Sequence, residues 1–174
     1  MRKPRFFTLC FLLLIASSCS KSGRPAYSPP SGEFSFVPPE HWMMREMPGF
    51  KYQFAFGPTI NTFSPNINFV DQVMPAKLEE YVESNLQVLQ RMAASEDRSL
   101  NILTQGEFTT DLKRSGMRVV TETTYDKNPV RQIFYFFEGK DDIKFVITCT
   151  APADQSQAYE KICDSSIRTF KPAD

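Results

Sequence analysis

Histidine is nearly missing from this chain; His41 is the only one. A Ser-His-Asp or Cys-His device has no other imidazole to draw on. His41 stands in a Pro-Pro-Glu-His-Trp turn, where a structural or solvated role is expected. Zinc-ligand spacing of Cys and His is absent, and so are a Walker loop and a GxGxxG fingerprint. The carboxylate pairs Glu79-Glu80 and Asp141-Asp142 suit a helix start and a solvated hairpin turn, and one pair brings too few oxygens for a hard cation. No catalytic residue, metal site or cofactor is therefore expected, and the chain does not read as an enzyme. Basic residues are not in surplus either, at 20 against 20 acidic, so nucleic acid is not an expected partner. Nor is there a long apolar run. Residues 6–16 form one of eleven residues, whereas a bilayer-spanning helix needs roughly 20.

What that short run does fit is a signal peptide. Arg2, Lys3 and Arg5 form a basic head, the apolar run follows, and small residues close it. The segment ends Ala16-Ser17-Ser18-Cys19, which resembles the bacterial lipobox. That resemblance implies removal of residues 1–18 and acylation of Cys19, the candidate lipid-attachment site (palmitate or a similar acyl chain). Ala16 stands where Leu is usual. The competing reading is plain secretion with Cys19 as an incidental thiol, a liability in an oxidising compartment. Ser20 follows the cysteine; in a Gram-negative host, resemblance to lipoprotein sorting implies transfer to the outer membrane, facing the periplasm.

Without residues 1–18 the chain carries 17 basic and 20 acidic side chains, a net of −3. Charge gives no reason to bind a membrane surface, so attachment is expected from lipid. Residues 19–33 are rich in Ser, Pro and Gly and read as a lipidated N-terminus with a flexible tether, reaching up to about 40 Å if extended. Residues 34–174 suit one globular domain.

Within that domain FSFV alternates as a strand does, and FKYQFAF places Phe50, Tyr52, Phe54 and Phe56 on one face. Such an aromatic stripe could stack bases or sugars; with nothing basic beside it, the inner face of a sheet is expected. INFVDQV is a further strand. From Pro75, apolar residues recur at spacings of three and four to near Ser95, predicting a helix with Glu79 and Glu80 at its positive end. Four strands follow, joined by short turns that imply antiparallel neighbours. IFYFF is apolar on both faces, predicting cover on each side. The fold class expected is α/β (α+β): a central antiparallel sheet with helices on both faces, a three-layer sandwich.

In the last strand Ile143, Phe145, Ile147 and Cys149 share one face. In the last helix Tyr159, Ile162, Cys163, Ser166, Ile167 and Phe170 share another, with Asp154 as a candidate cap. The chain turns back at Ala151-Pro152, so the two faces should meet, each holding one cysteine. A disulfide between Cys149 and Cys163 follows, favoured by export; two buried thiols are the alternative.

FSFVPPEHW, KLEEYVESNL and the closing segment QIFYFFEGKDDIKFVITCTAPADQSQAYEKICDSSIRTF resemble, in that order, the opening strand and turn, long helix, hairpin and C-terminal helix of the PsbP-like family (the PsbP, DcrB and Mog type). The likeness covers residues 34–170. It implies a central antiparallel sheet between helices, and a binding or assembly role rather than catalysis. No binding motif transfers residue by residue. The function expected is a membrane-anchored lipoprotein acting as a non-catalytic binding or assembly module at the bacterial envelope, with an unidentified protein partner. The alternative is a small-molecule or metal-ion carrier using a pocket between sheet and helix. The 58–66 loop with Phe63, and Met43, Met44 and Met47, are candidate contact surfaces if exposed.

Overall fold

The computed structural model describes residues 23–125 and 128–173. The expected signal peptide and Cys19 lie outside the described residues. The sheet is built from β2 (Met43–Arg45), β3 (Phe54–Phe56), β4 (Asn66–Val73), β5 (Leu100–Thr109), β6 (Ser115–Tyr125), β7 (Asn128–Glu138) and β8 (Ile143–Pro152). Its order is β2-β3-β4-β8-β7-β6-β5, antiparallel throughout. Two meanders thus meet at β4 and β8. Helix α1 (Leu78–Ser95) carries the chain from β4 to the far edge at β5. Helix α2 (Ser156–Ile167) follows β8 through a short 3-10 turn. A separate pair, β1 (Phe34–Ser35) and β9 (Lys171–Pro172), joins the two ends of the domain.

Strand β7 explains the layering. Ile133, Tyr135 and Phe137 point into one apolar cluster, and Phe134 and Phe136 into the other. On the second face Tyr81, Val82 and Leu86 of α1 cover Val119, Phe134 and Phe136. On the first, Cys163 and Ile167 of α2, with Phe170 just beyond it, cover Phe145, Ile147 and Cys149. The expected three layers are present. A buried Phe stabilises by about 1.5–3 kcal/mol, so this double-sided strand is a large share of the apolar driving force.

Helix α1 has Glu79 and Glu80 in its first turn, near the positive end of its dipole. It ends in a Schellman turn: Arg98 N donates to the Ala93 carbonyl at 2.8 Å and Asp97 adopts φ 53°. Helix α2 corrects an expectation. Its N-cap position is Gln155 and no side chain caps it, because Asp154 sits inside the preceding 3-10 turn.

Two further expectations change. The stripe from Phe50 to Phe56 is not one strand face. Gly49 takes φ 84° and Phe50 N donates to the Met47 carbonyl at 3.1 Å, a turn that leaves Phe50 52% exposed while Tyr52 and Phe54 are buried. Residues 24–33, expected to be part of a flexible tether over 19–33, are instead held against the domain. Tyr27 and Phe36 exchange backbone hydrogen bonds of 2.8 and 3.0 Å, their rings meet edge-on at 5.9 Å, and Pro29 is buried. Arg24 Nη1 donates to the Pro38 carbonyl at 3.2 Å. The low-hydropathy composition of residues 20–33 concealed Tyr27, whose ring supplies enough apolar surface to hold the segment down.

Candidate functional site

The two domain cysteines are brought together as the sequence suggested. Cys149 on β8 and Cys163 on α2 are buried in the same apolar cluster, with Cα atoms 6.4 Å apart, a separation that a disulfide spans.

A cleft opens where the β3–β4 loop meets the end of β6 and the start of β7. Ile60 and Phe63 exchange backbone hydrogen bonds of 2.8 and 2.9 Å around Asn61 (φ 46°) and Thr62 (φ 77°). Two left-handed residues between a bonded pair make the tight turn that hairpins favour, where Asn-Gly is usual. Threonine, branched at Cβ, rarely adopts that conformation. Phe63, Tyr125 and Val130 form apolar walls, with Asn61, Asp154 and Gln155 at the rim of a cleft of about 380 Å³. Tyr125 is 58% exposed. The volume lies in the range of small-ligand sites, roughly 300–1,000 Å³.

A second groove, of about 450 Å³, runs between Arg24–Tyr27 and Pro38–Trp42. Trp42 packs closely on Gly57: a Cβ there would meet its ring at 2.8 Å, so only glycine permits the approach. Met44 lines this groove and packs against the core, Met47 is half-buried, and Met43 is 55% exposed. His41, at φ 64°, turns its side chain into solvent beside Glu40, 3.5 Å away.

Sequence reasoning missed an ionic lattice between α2 and the sheet. Glu160 accepts from Arg118 Nη2 at 2.9 Å and from Arg131 Nη1 at 3.0 Å. Arg131 Nη2 also donates to Glu122 at 2.8 Å, and Arg118 Nε to Asp164 at 2.8 Å. Glu160 and Asp164 are spaced i, i+4 on one helix face, and Arg118 and Glu122 lie on one strand face. Those spacings were the available signal.

No family model matches this chain, and a search of curated proteins finds no match. Solved structures do match. Cyanobacterial PsbP (CyanoP) from Synechocystis superposes with a TM-score of 0.65 at 11% identity, covering 91% of this chain and 99% of that one. The chain has the PsbP/Mog-type fold. The Saccharomyces cerevisiae Ran-binding protein Mog1p gives a TM-score of 0.58 at 13% identity, covering 87% of this chain and 96% of its own. LpqN of Mycobacterium tuberculosis, described as involved in cell envelope biogenesis, gives 0.57 at 11% identity, with 81% and 83% covered. At such identities the PsbP/Mog-type likeness is one of fold, and function has to come from the chain's own sites. Among the described residues, no helix is long and apolar enough to cross a membrane.

Proposed function

We propose that this chain is an exported lipoprotein, anchored through Cys19 and acting by binding rather than catalysis at a bacterial envelope. The observation that carries the reading is Ala16-Ser17-Ser18-Cys19 at the end of a short apolar run, with a folded domain beginning a few residues later. The fold shared with LpqN, a protein of cell envelope biogenesis, supports the compartment. Cys149 and Cys163 form a disulfide in this reading, as export favours. In a Gram-negative host the anchor sits in the outer membrane and the domain faces the periplasm. The binding surface is the cleft around Phe63 and Tyr125. Intact-mass analysis of membrane-purified protein should show a chain that starts at an acylated Cys19. An unmodified soluble chain would overturn the reading.

The carrier alternative draws on the same cleft, whose volume and mixed walls suit a small molecule. It lies at the end of the sheet rather than between sheet and helix. Native mass spectrometry of protein purified from its host should then show a mass increment that Phe63→Arg removes. A bare mass would leave the protein-binding reading in place.

A further inference from the structure

The packing of residues 24–33 against the domain has a geometric consequence for the anchored protein. Arg24 is bonded to the Pro38 carbonyl and Tyr27 is paired with Phe36, so the domain surface begins at residue 24. Only Ser20 to Gly23, four residues, separate that surface from Cys19. The five Cα steps from Cys19 to Arg24 span at most about 18 Å. A domain of this size has a radius of gyration near 15 Å, hence a diameter of about 40 Å. An attachment point held within about 18 Å of the lipid lies in the lower half of such a body. The 19–33 tether, with its reach of about 40 Å, would have let any face look down.

The surface at the attachment point is the Trp42 groove. Pro25, Tyr27, Pro38, Pro39, Trp42 and Met44 make it mostly apolar, with Arg24, Glu40 and His41 as its polar residues. Trp and Tyr rings, apolar in body with one polar atom, suit the headgroup layer of a bilayer. The phenol of Tyr27 is shifted upward, chiefly by burial, so it stays neutral there.

We infer that the Trp42 groove faces the anchoring bilayer at headgroup level, so that the domain is held in one orientation with the Phe63–Tyr125 cleft as a separate surface. The occupant is the lipid headgroup layer to which Cys19 is attached. This rests on the lipid-anchor reading above.

Trp42 is the only tryptophan in the chain, so its fluorescence reports this face alone. The full lipidated protein, purified from its host, would be reconstituted into phosphatidylcholine vesicles containing a lipid with a nitroxide on its headgroup. A second form would carry about twenty Gly/Ser residues inserted after Ser22, a flexible chain that lets the domain tumble away. The expected result is flotation of both forms, with Trp42 quenched at least about twice as strongly in the native-length protein as in the lengthened one. Flotation with equal, weak quenching would overturn the orientation while leaving the anchor intact, and would assign the groove to a protein or a soluble ligand. Failure of the native-length protein to float would remove the anchor and this inference with it.

Discussion

The hydroxyl of Tyr135, under a fully buried ring, donates to Oδ1 of Asp164 at 2.5 Å. The same carboxylate oxygen accepts from Arg118, whose other arm reaches Glu160. Strands β6 and β7 are thereby tied to the sheet-facing side of α2 through one phenol and, with Arg131, two guanidinium groups. Burial and the neighbouring carboxylate both push the Tyr135 phenol far above its ordinary range, so it is a protonated donor at neutral pH.

Glu160 is the member that holds both arginines. Glu160→Gln leaves two half-buried guanidinium groups with a neutral acceptor, and should cost about 2 kcal/mol. Tyr135→Phe removes one bond while Arg118 still satisfies Asp164, and should cost about 1 kcal/mol. Urea unfolding of the two variants against wild type checks the order. A larger loss for Tyr135→Phe would mean that the phenol, not the carboxylate, organises the lattice.

Cys149 and Cys163 give a second expectation. Non-reducing peptide mapping should recover the two peptides as one species. Closing a loop of about 15 residues stabilises by roughly 3 kcal/mol in the chain-entropy model. Cys149→Ser with Cys163→Ser should therefore lower stability by about that much, and reduction of the wild type should do the same. Free thiols at both positions would refute the bridge.

How far the fold was legible follows from where the apolar pattern repeats. Residues 133–137 are apolar at every position, and a strand buried on both faces is the only reading of that run that also explains the helices on either side. The meeting of Cys149 with Cys163 followed from two periodicities joined by a tight reversal. The rest failed where elements are short. Strand β2, Met-Met-Arg, has three residues, too few to show a period. The aromatics from 50 to 56 alternate, yet a turn at Gly49 sets Phe50 outside, since alternation does not record where a strand begins. The packing of residues 24–33 depends on one ring, Tyr27, finding Phe36 across the chain. Likewise the cleft at Phe63 is made by elements far apart in sequence, of which only the loop itself was visible.

Tyr52 separates neutral from alkaline behaviour. Its side chain is buried, with Lys51 and Asp71 beside its hydroxyl. Tyr52→Phe takes the hydroxyl away from those two charged neighbours and should change neutral-pH stability by no more than about 1 kcal/mol. Burial, foremost, pushes the phenol up to about 12, against about 10 in the unfolded chain. The folded state thus holds this proton more tightly than the unfolded state does. The stability so gained is complete below pH 10 and is lost as pH rises through about 12. Denaturant unfolding at pH 8, 10 and 11.5 should show a shallower alkaline fall for Tyr52→Phe than for wild type. Parallel falls would mean that Tyr52 does not titrate in this window.

Thr62 tests whether the cleft is built at a cost in stability. At φ 77° a residue branched at Cβ is strained, typically by about 1–3 kcal/mol, and the turn it occupies prefers glycine at that position. Thr62 makes no contribution to the apolar core, being exposed at the tip of the loop. Thr62→Gly should therefore stabilise the protein by about 1 kcal/mol, part of the relieved strain being offset by the greater freedom of glycine in the unfolded chain. Thermal unfolding measures this directly. The same variant, assayed for capture of whatever partner crosslinking in the host identifies, should bind more weakly if the threonine holds Asn61 and Phe63 in the shape that the cleft presents. Higher stability with unchanged binding would make the turn a structural device and move the contact surface elsewhere on the domain. Lower stability would mean that the turn tolerates threonine without strain.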